Sequence, residues 1–197
     1  MLSEDRKIKT RAQLREYLEA DCARYPMSAR RILPYLLQIS EGAILRRHIV
    51  LLRKTEYYTN TGRRLLAKLY HARLMKFQTR YCLHVPVNCA GKGLWIAHVA
   101  PVLINGNATL GEYCFLAPMI SLAGDEQDRA PTLGDHVTVG IGSLLVGGIR
   151  IADGVNIGAG AVVTKDFLEP GVTIAGVPAK KLGGPKPPEN GGQSDAP

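Results

Sequence analysis

The chemistry this sequence can offer begins with its five histidines, and His98 is placed unlike the others. Counting back in sixes from Leu110 and Ile104, position 98 is where the next aliphatic residue should stand, so a histidine there requires a reason. Histidine titrates near neutrality and can take a proton from a hydroxyl as that oxygen attacks. The competing reading is a core histidine satisfied by a backbone carbonyl. His48 and His71 lie in basic helical stretches and read as packing or surface residues. His136 follows a chain corner and should point outward, and His84, one turn of the repeat before His98, is a candidate to line the same cleft. No serine or cysteine stands beside His98 in a nucleophile motif, which argues against a covalent intermediate on the protein. No histidine pair has the close spacing that the ligands of a zinc hydratase need, so no metal is expected. Cys22, Cys82, Cys89 and Cys114 show no CxxC pairing and are expected to be reduced, buried thiols.

The elements that must position these groups come from a repeat. From Leu133 an aliphatic residue recurs every six positions, at Val139, Leu145, Ile151, Ile157 and Val163, and the fifth places hold Val137, Ser143, Ile149, Val155, Ala161 and Phe167. A period of six fits neither a 3.6-residue helix nor simple strand alternation. It suits short strands joined by tight corners, a solenoid in which each coil buries its face on the next. The same register runs upstream through Leu122, Leu116 and Leu110. Between Leu122 and Leu133 the spacing is eleven, so the polar stretch AGDEQDRAPT is expected to bulge out as a loop of about five extra residues, where solenoids often carry function.

Residues 1–80 read differently. RAQLREYLEADCARY, GAILRRHIVLLRKTEYY and GRRLLAKLYHARLMKF carry apolar residues at helical spacing, which predicts three or so helices broken near Pro26, Pro34 and Asn60-Thr61-Gly62. The net charge of +8 divides as +11 over residues 1–80 and −3 over 81–197, so the basicity belongs to the helices. Their Lys and Arg are expected to face solvent. The domains expected are an α-helical region at 1–80, a β-helix at 81–182 and a disordered Pro/Gly-rich tail at 183–197. With 46% apolar residues a packed core is available, and no window approaches the roughly 18 apolar residues needed to span a bilayer. A cytoplasmic protein is expected.

The segments GKGLWIAHVAPVLINGNATLGEYC, DRAPTLGDHVTVGIGSLLVGG and IGAGAVVTKDFLEPGVTIAGVPAKKL, spanning about residues 82–183, resemble serine acetyltransferases and their relatives from surface-polysaccharide gene clusters. The resemblance implies a left-handed β-helix of hexapeptide repeats, mainly β with the helical region in front, assembled as homotrimers with sites between subunits. It implies acetyl-CoA as co-substrate, transfer of the acetyl group to a hydroxyl of serine or a sugar, and His98 as general base. It also implies that Gly140, Ile141, Ala159, Thr164, Lys165 and Lys180 meet coenzyme A, and that Arg129, Asp128 and His84 stand on the acceptor side.

Three departures matter. The usual DRHP of the loop exit reads DRAP here, with Ala130 for the histidine. The residue before His98 is Ala97 rather than an aspartate, and the acid expected about fifteen residues upstream is Leu83. A site without those groups binds the two charges of serine poorly. The orienting acceptor of His98 is left open among Asp125, Glu126 and Asp128. Two other classes compete: the zinc hydratase, and a non-enzymatic trimeric scaffold whose basic stretches 43–58 and 62–77 bind an acidic partner or rest on anionic lipid. Nucleic acid binding has no support beyond charge.

Overall fold

In the computed structural model the described residues are 3–26 and 40–183. The chain opens with a short 3-10 turn and α1 (Arg11–Cys22), then runs through α2 (Glu41–Asn60) and α3 (Arg64–Tyr81). Local chemistry explains the starts. Thr10 accepts from the Gln13 N–H while the Gln13 side chain accepts from the Thr10 N–H, a reciprocal cap that satisfies two otherwise orphaned donors. Ser40 caps α2 by accepting from Ala43 N–H. The expected break at Asn60-Thr61-Gly62 is present, with Gly62 taking a positive φ of 68° between α2 and α3. The expected break near Pro34 lies outside the described residues.

Five coils follow, built of short strands on three faces, with single bridges at Ala90 and Phe167 in place of a second-face strand in the first and last coils. Coil one holds β1 (Leu83–His84) and β2 (Trp95–Ile96), and coil two β3 (Val102–Ile104), β4 (Thr109–Leu110) and β5 (Phe115–Leu116). Coil three holds β6 (Ile120–Ala123), β7 (Thr132–Leu133) and β8 (Thr138–Val139). Coil four holds β9 (Leu144–Val146), β10 (Arg150–Ile151) and β11 (Asn156–Ile157), and coil five β12 (Val162–Val163) and β13 (Thr173–Ala175). Like strands stack in parallel, β1-β3-β6-β9-β12 on the first face, β4-β7-β10 on the second and β2-β5-β8-β11-β13 on the third. A final strand, β14 (Lys180–Gly183), turns back antiparallel on β13 and closes the far end. Of the tail expected at 183–197, only Gly183 is described.

The six-residue register is the interior. Leu133, Val139, Leu145, Ile151, Ile157 and Val163 are buried, as are Val137, Ser143, Ile149, Val155 and Ala161. The loop is where the spacing placed it, because Leu122 pairs with Leu145 and Leu145 with Val163, which makes coil three five residues longer than coil four.

The helices plug the open end of the first coil. Leu45, Ile49, Leu52 and Leu74 join Leu83, Leu94 and Ile96 in one continuous core. At its centre Arg53 is fully buried, bonding Asp21 at 2.7 Å, Glu56 at 2.9 Å and the carbonyls of Ala90 and Gly91 at 2.8 and 2.6 Å. Asp21 and Glu56 use their other oxygens on the N–H groups of Leu94 and Asn88. This corrects the expectation that the basic residues all face solvent: coil one has no coil before it, so its exposed backbone groups are satisfied from the helices, and an arginine fork reaches two carbonyls at once. The Tyr25 hydroxyl does the same for β2, accepting from Ile96 N–H at 2.9 Å and donating to Ile96 C=O at 2.5 Å. Cys22, Cys89 and Cys114 are buried, but Cys82 is exposed because it is the left-handed C-cap of α3.

Candidate active site

The corner between the third face and the first recurs on every coil, so corner residues stack into an edge. His98 lies on it between β2 and β3, Met119 between β5 and β6, Gly140 to Ser143 between β8 and β9, and Gly158 to Ala161 between β11 and β12. Gly176 and Val177 leave β13 at the same edge. Coils stack roughly 4.8 Å apart, so Ile141 is about 10 Å and Ala159 about 14 Å along the edge from the level of His98. Gly160 donates to Ile141 C=O at 2.8 Å and Gly142 to Pro118 C=O at 3.1 Å, which locks successive corners together. Gly142 and Gly160 adopt φ of 71° and 66°, and a Cβ at Gly160 would meet nothing, so the backbone there is bare to an incoming chain. Ile141 is half exposed, and Lys180, paired with Ala175 at the end of β13, is exposed near the same edge, whereas the exposed Thr164 and Lys165 follow β12 and stand at the corner of the first and second faces.

His98 does not sit in the interior register. Ile96 pairs with Leu116 and is fully buried, so it holds that place. From Ile96 to Ile104 the chain takes eight residues where Val139 to Leu145 takes six, and the additional pair lets the corner out and carries His98 into solvent, its side chain 64% exposed. Its Nδ1 lies 3.1 Å from Glu41 Oε2, and Glu41 Oε1 accepts from Val99 N–H at 2.8 Å. The Val99 amide above all holds the Glu41 carboxyl below the usual carboxylate range; burial opposes it, and His98 adds a smaller pull in the same direction as Val99.

The other expected residues fall elsewhere. Asp125 binds Arg129 at 2.7 to 2.8 Å and accepts from the Gln127 and Arg129 amides. Asp128 accepts from Asn107 at 2.6 Å and Asn105 at 3.4 Å. These loop residues, between β6 and β7, lie at the corner of the first and second faces, a different edge of the same chain from His98. Their carboxylates are engaged within the loop and with coil two, so within one chain neither Asp125 nor Asp128 is the acceptor for His98. His84 lines a cavity of about 300 Å³ between α3 and coil one, with Leu74, Gln78 and Pro86. His48 is fully buried beside Phe77, and His136 is exposed and stacked on Tyr113.

Glu41 was missed by sequence reasoning. Ser40-Glu41 carries a helix-start signal with an acid in the first turn, but nothing in the sequence connects it with a histidine 57 positions on.

A corner-stacked parallel β-helix of hexapeptide repeats, plugged by a helical bundle, defines the class. Among known proteins the chain is similar to the serine acetyltransferase of Helicobacter pylori, with 36% identity over 114 residues, 56% of this chain and 66% of that one. It is similar also to that of Mycobacterium tuberculosis, at 32% over 133 residues, 66% of this chain and 57% of that one. The serine acetyltransferase structure from Neisseria gonorrhoeae superposes with a TM-score of 0.62 at 28% identity, covering 89% of this chain and 67% of that one. The soybean serine acetyltransferase complexed with serine gives 0.64 at 26%, over 86% and 69%. No family model matches the chain. It spans between a quarter and two thirds of the lengths of the serine acetyltransferases it matches. It is a serine acetyltransferase-like left-handed β-helix of hexapeptide repeats, mainly β with a helical N-terminal region.

Proposed function

We propose that this protein transfers the acetyl group of acetyl-CoA directly to a hydroxyl, of serine or of a sugar in surface-polysaccharide synthesis, with His98 as general base. The observation that carries the reading is the single edge that puts His98 in line with the glycine-rich corners at Ile141 and Ala159. The bare corners at Gly142 and Gly160 suit a thin pantetheine arm, and Lys165 and Lys180 offer charge to phosphates. A relative from Brucella abortus was solved in complex with coenzyme A. His98 takes the proton of the acceptor hydroxyl as its oxygen attacks the thioester carbonyl, and the proton leaves with the thiol. Ala97, Ala130 and Leu83 remove the polar groups that would hold the charges of serine, which favours a sugar hydroxyl.

The site is completed in a homotrimer. One chain holds His98 and the loop of Asp128 and Arg129 on different edges, and a neighbour packed against the His98 edge supplies its own loop. Leu103, Met119, Ile141 and Val177 are exposed apolar residues on or beside that edge, as a buried interface requires. No described helix is long and apolar enough to cross a membrane. The enzyme works in the cytoplasm, and α3 supports peripheral contact with anionic lipid, exposing Leu65 and Leu69 among Lys68, Lys76 and Arg80.

Thiol release from acetyl-CoA with serine, homoserine and a panel of sugars tests the reaction. His98→Ala should lower turnover by about 10²-fold or more, and a variant with wild-type turnover would refute the assignment. Light scattering should give about three times the 21.4 kDa of the chain, and co-sedimentation with anionic vesicles should weaken as salt rises.

A further inference from the structure

The Glu41 carboxylate touches two donors on one corner. Oε1 takes the Val99 N–H and Oε2 faces His98 Nδ1, so backbone and ring are held by a single group. An ionised carboxylate only accepts, so Nδ1 must carry the proton and Nε2 keeps its lone pair. Glu41 is the first residue of α2, directly after the capping Ser40, where the helix N-terminus favours a negative charge. Three turns further along the same helix Arg53 is locked into coil one, so the spacing between Glu41 and His98 is set by a rigid element.

We infer that Glu41 is the positioning residue of His98, fixing its Nε2-basic tautomer from the helical region because the repeat itself offers no acid there. This rests on the reading of His98 as base. Leu83 is fully buried in the interior of coil one and cannot serve. Asp125 and Asp128 are engaged in the loop. The helical bundle is thereby part of the active site as well as the plug of the solenoid.

Glu41→Gln separates this role from folding. Gln offers one oxygen to two donors, and when that oxygen stays on Val99 N–H its NH2 faces Nδ1 and drives the proton to Nε2, abolishing the base. Two measurements on the full chain decide the matter. With acetyl-CoA and the acceptor found by the hydroxyl panel, Glu41→Gln should lower kcat about 10²-fold while KM for acetyl-CoA changes by less than about threefold. Nitrogen NMR of the imidazole, assigned against His98→Ala, should show His98 protonated at Nδ1 in the wild type and at Nε2 in Glu41→Gln. An unchanged tautomer, or kcat within about threefold of wild type, overturns the inference. The NMR arm needs no acceptor, so it still answers if His98→Ala proves fully active and the acetyltransferase reading falls.

Discussion

Replacing Arg53 with Met should detach the helical bundle from the β-helix. The side chain is entirely buried and makes four hydrogen bonds, two to carboxylates and two to coil-one carbonyls. Removing one partner of a buried ion pair typically costs about 3–5 kcal/mol, because the remaining charge has neither water nor counter-charge. Here Asp21 and Glu56 are both left in that state, and the Ala90 and Gly91 carbonyls each lose a donor, at roughly 1 kcal/mol apiece. These terms overlap, so the expected loss is about 4–6 kcal/mol, a large fraction of the roughly 5–15 kcal/mol a domain has. Urea denaturation can follow it with two probes: far-UV circular dichroism for the helices, and fluorescence of Trp95, the single tryptophan, which lies under Arg24 at 4.6 Å. The ellipticity transition should move to lower urea first. Adding Asp21→Asn and Glu56→Gln to Arg53→Met removes the stranded charges and should restore at least half of the loss. A loss below about 1 kcal/mol for Arg53→Met alone would mean that water reaches the cluster and that the argument from burial is wrong.

Stability should also fall on mild acidification because of His48. Burial first, and then Arg53, push its pKa down to about 4, against about 6.5 in the unfolded chain. As pH drops through 6.5 the unfolded chain gains the proton that the fold refuses, so stability declines between about pH 6.5 and 4, by about 2 kcal/mol at pH 5 relative to neutrality. Urea midpoints of wild type and His48→Phe at pH 7.5 and 5 should converge on the acid side, and parallel curves would refute the assignment. Gly140→Ala should lower Tm by about 3–8 °C, since a Cβ there meets Ile157 O at 2.6 Å and Ala159 N at 2.7 Å, both backbone. Gly106→Ala, with nothing within 4 Å, is the control, and equal shifts in the two would contradict the stacking argument. Tyr25→Phe strands the buried N–H and C=O of Ile96 and should cost about 1–3 kcal/mol by chemical denaturation, an effect absent if those groups find water.

The β-helix was legible because its cause is local and repeated. A side chain that must point inward once per strand leaves a mark every six residues, and the five-residue excess after Leu122 marked the loop. The same regularity misled at one point. The register read through to His98 assumed corners of equal length, yet the corner from Ile96 to Ile104 is two residues longer, and the pattern of Ile96, Val102 and Ile104 fits the true interior once that is allowed. An aliphatic count cannot see a longer corner when another aliphatic residue stands two places away.

The site was legible only where the repeat carries it. His98, Ile141 and Ala159 share an edge because the solenoid converts sequence period into spatial alignment, so position in the repeat sufficed to place them in a column. Glu41 belongs to no period. It reaches His98 because Arg53, Asp21 and Tyr25 fasten two helices against the first coil, and each of those contacts is long-range and irregular. Position in the repeat points instead to the acids of its one long loop, Asp125, Glu126 and Asp128. Hydrogen-bond demand argues against that choice for two of them: Asp125 has Arg129 and two amides to satisfy, and Asp128 has Asn105 and Asn107. The element that caps that end of the solenoid, α2, is the one that brings a carboxylate to His98.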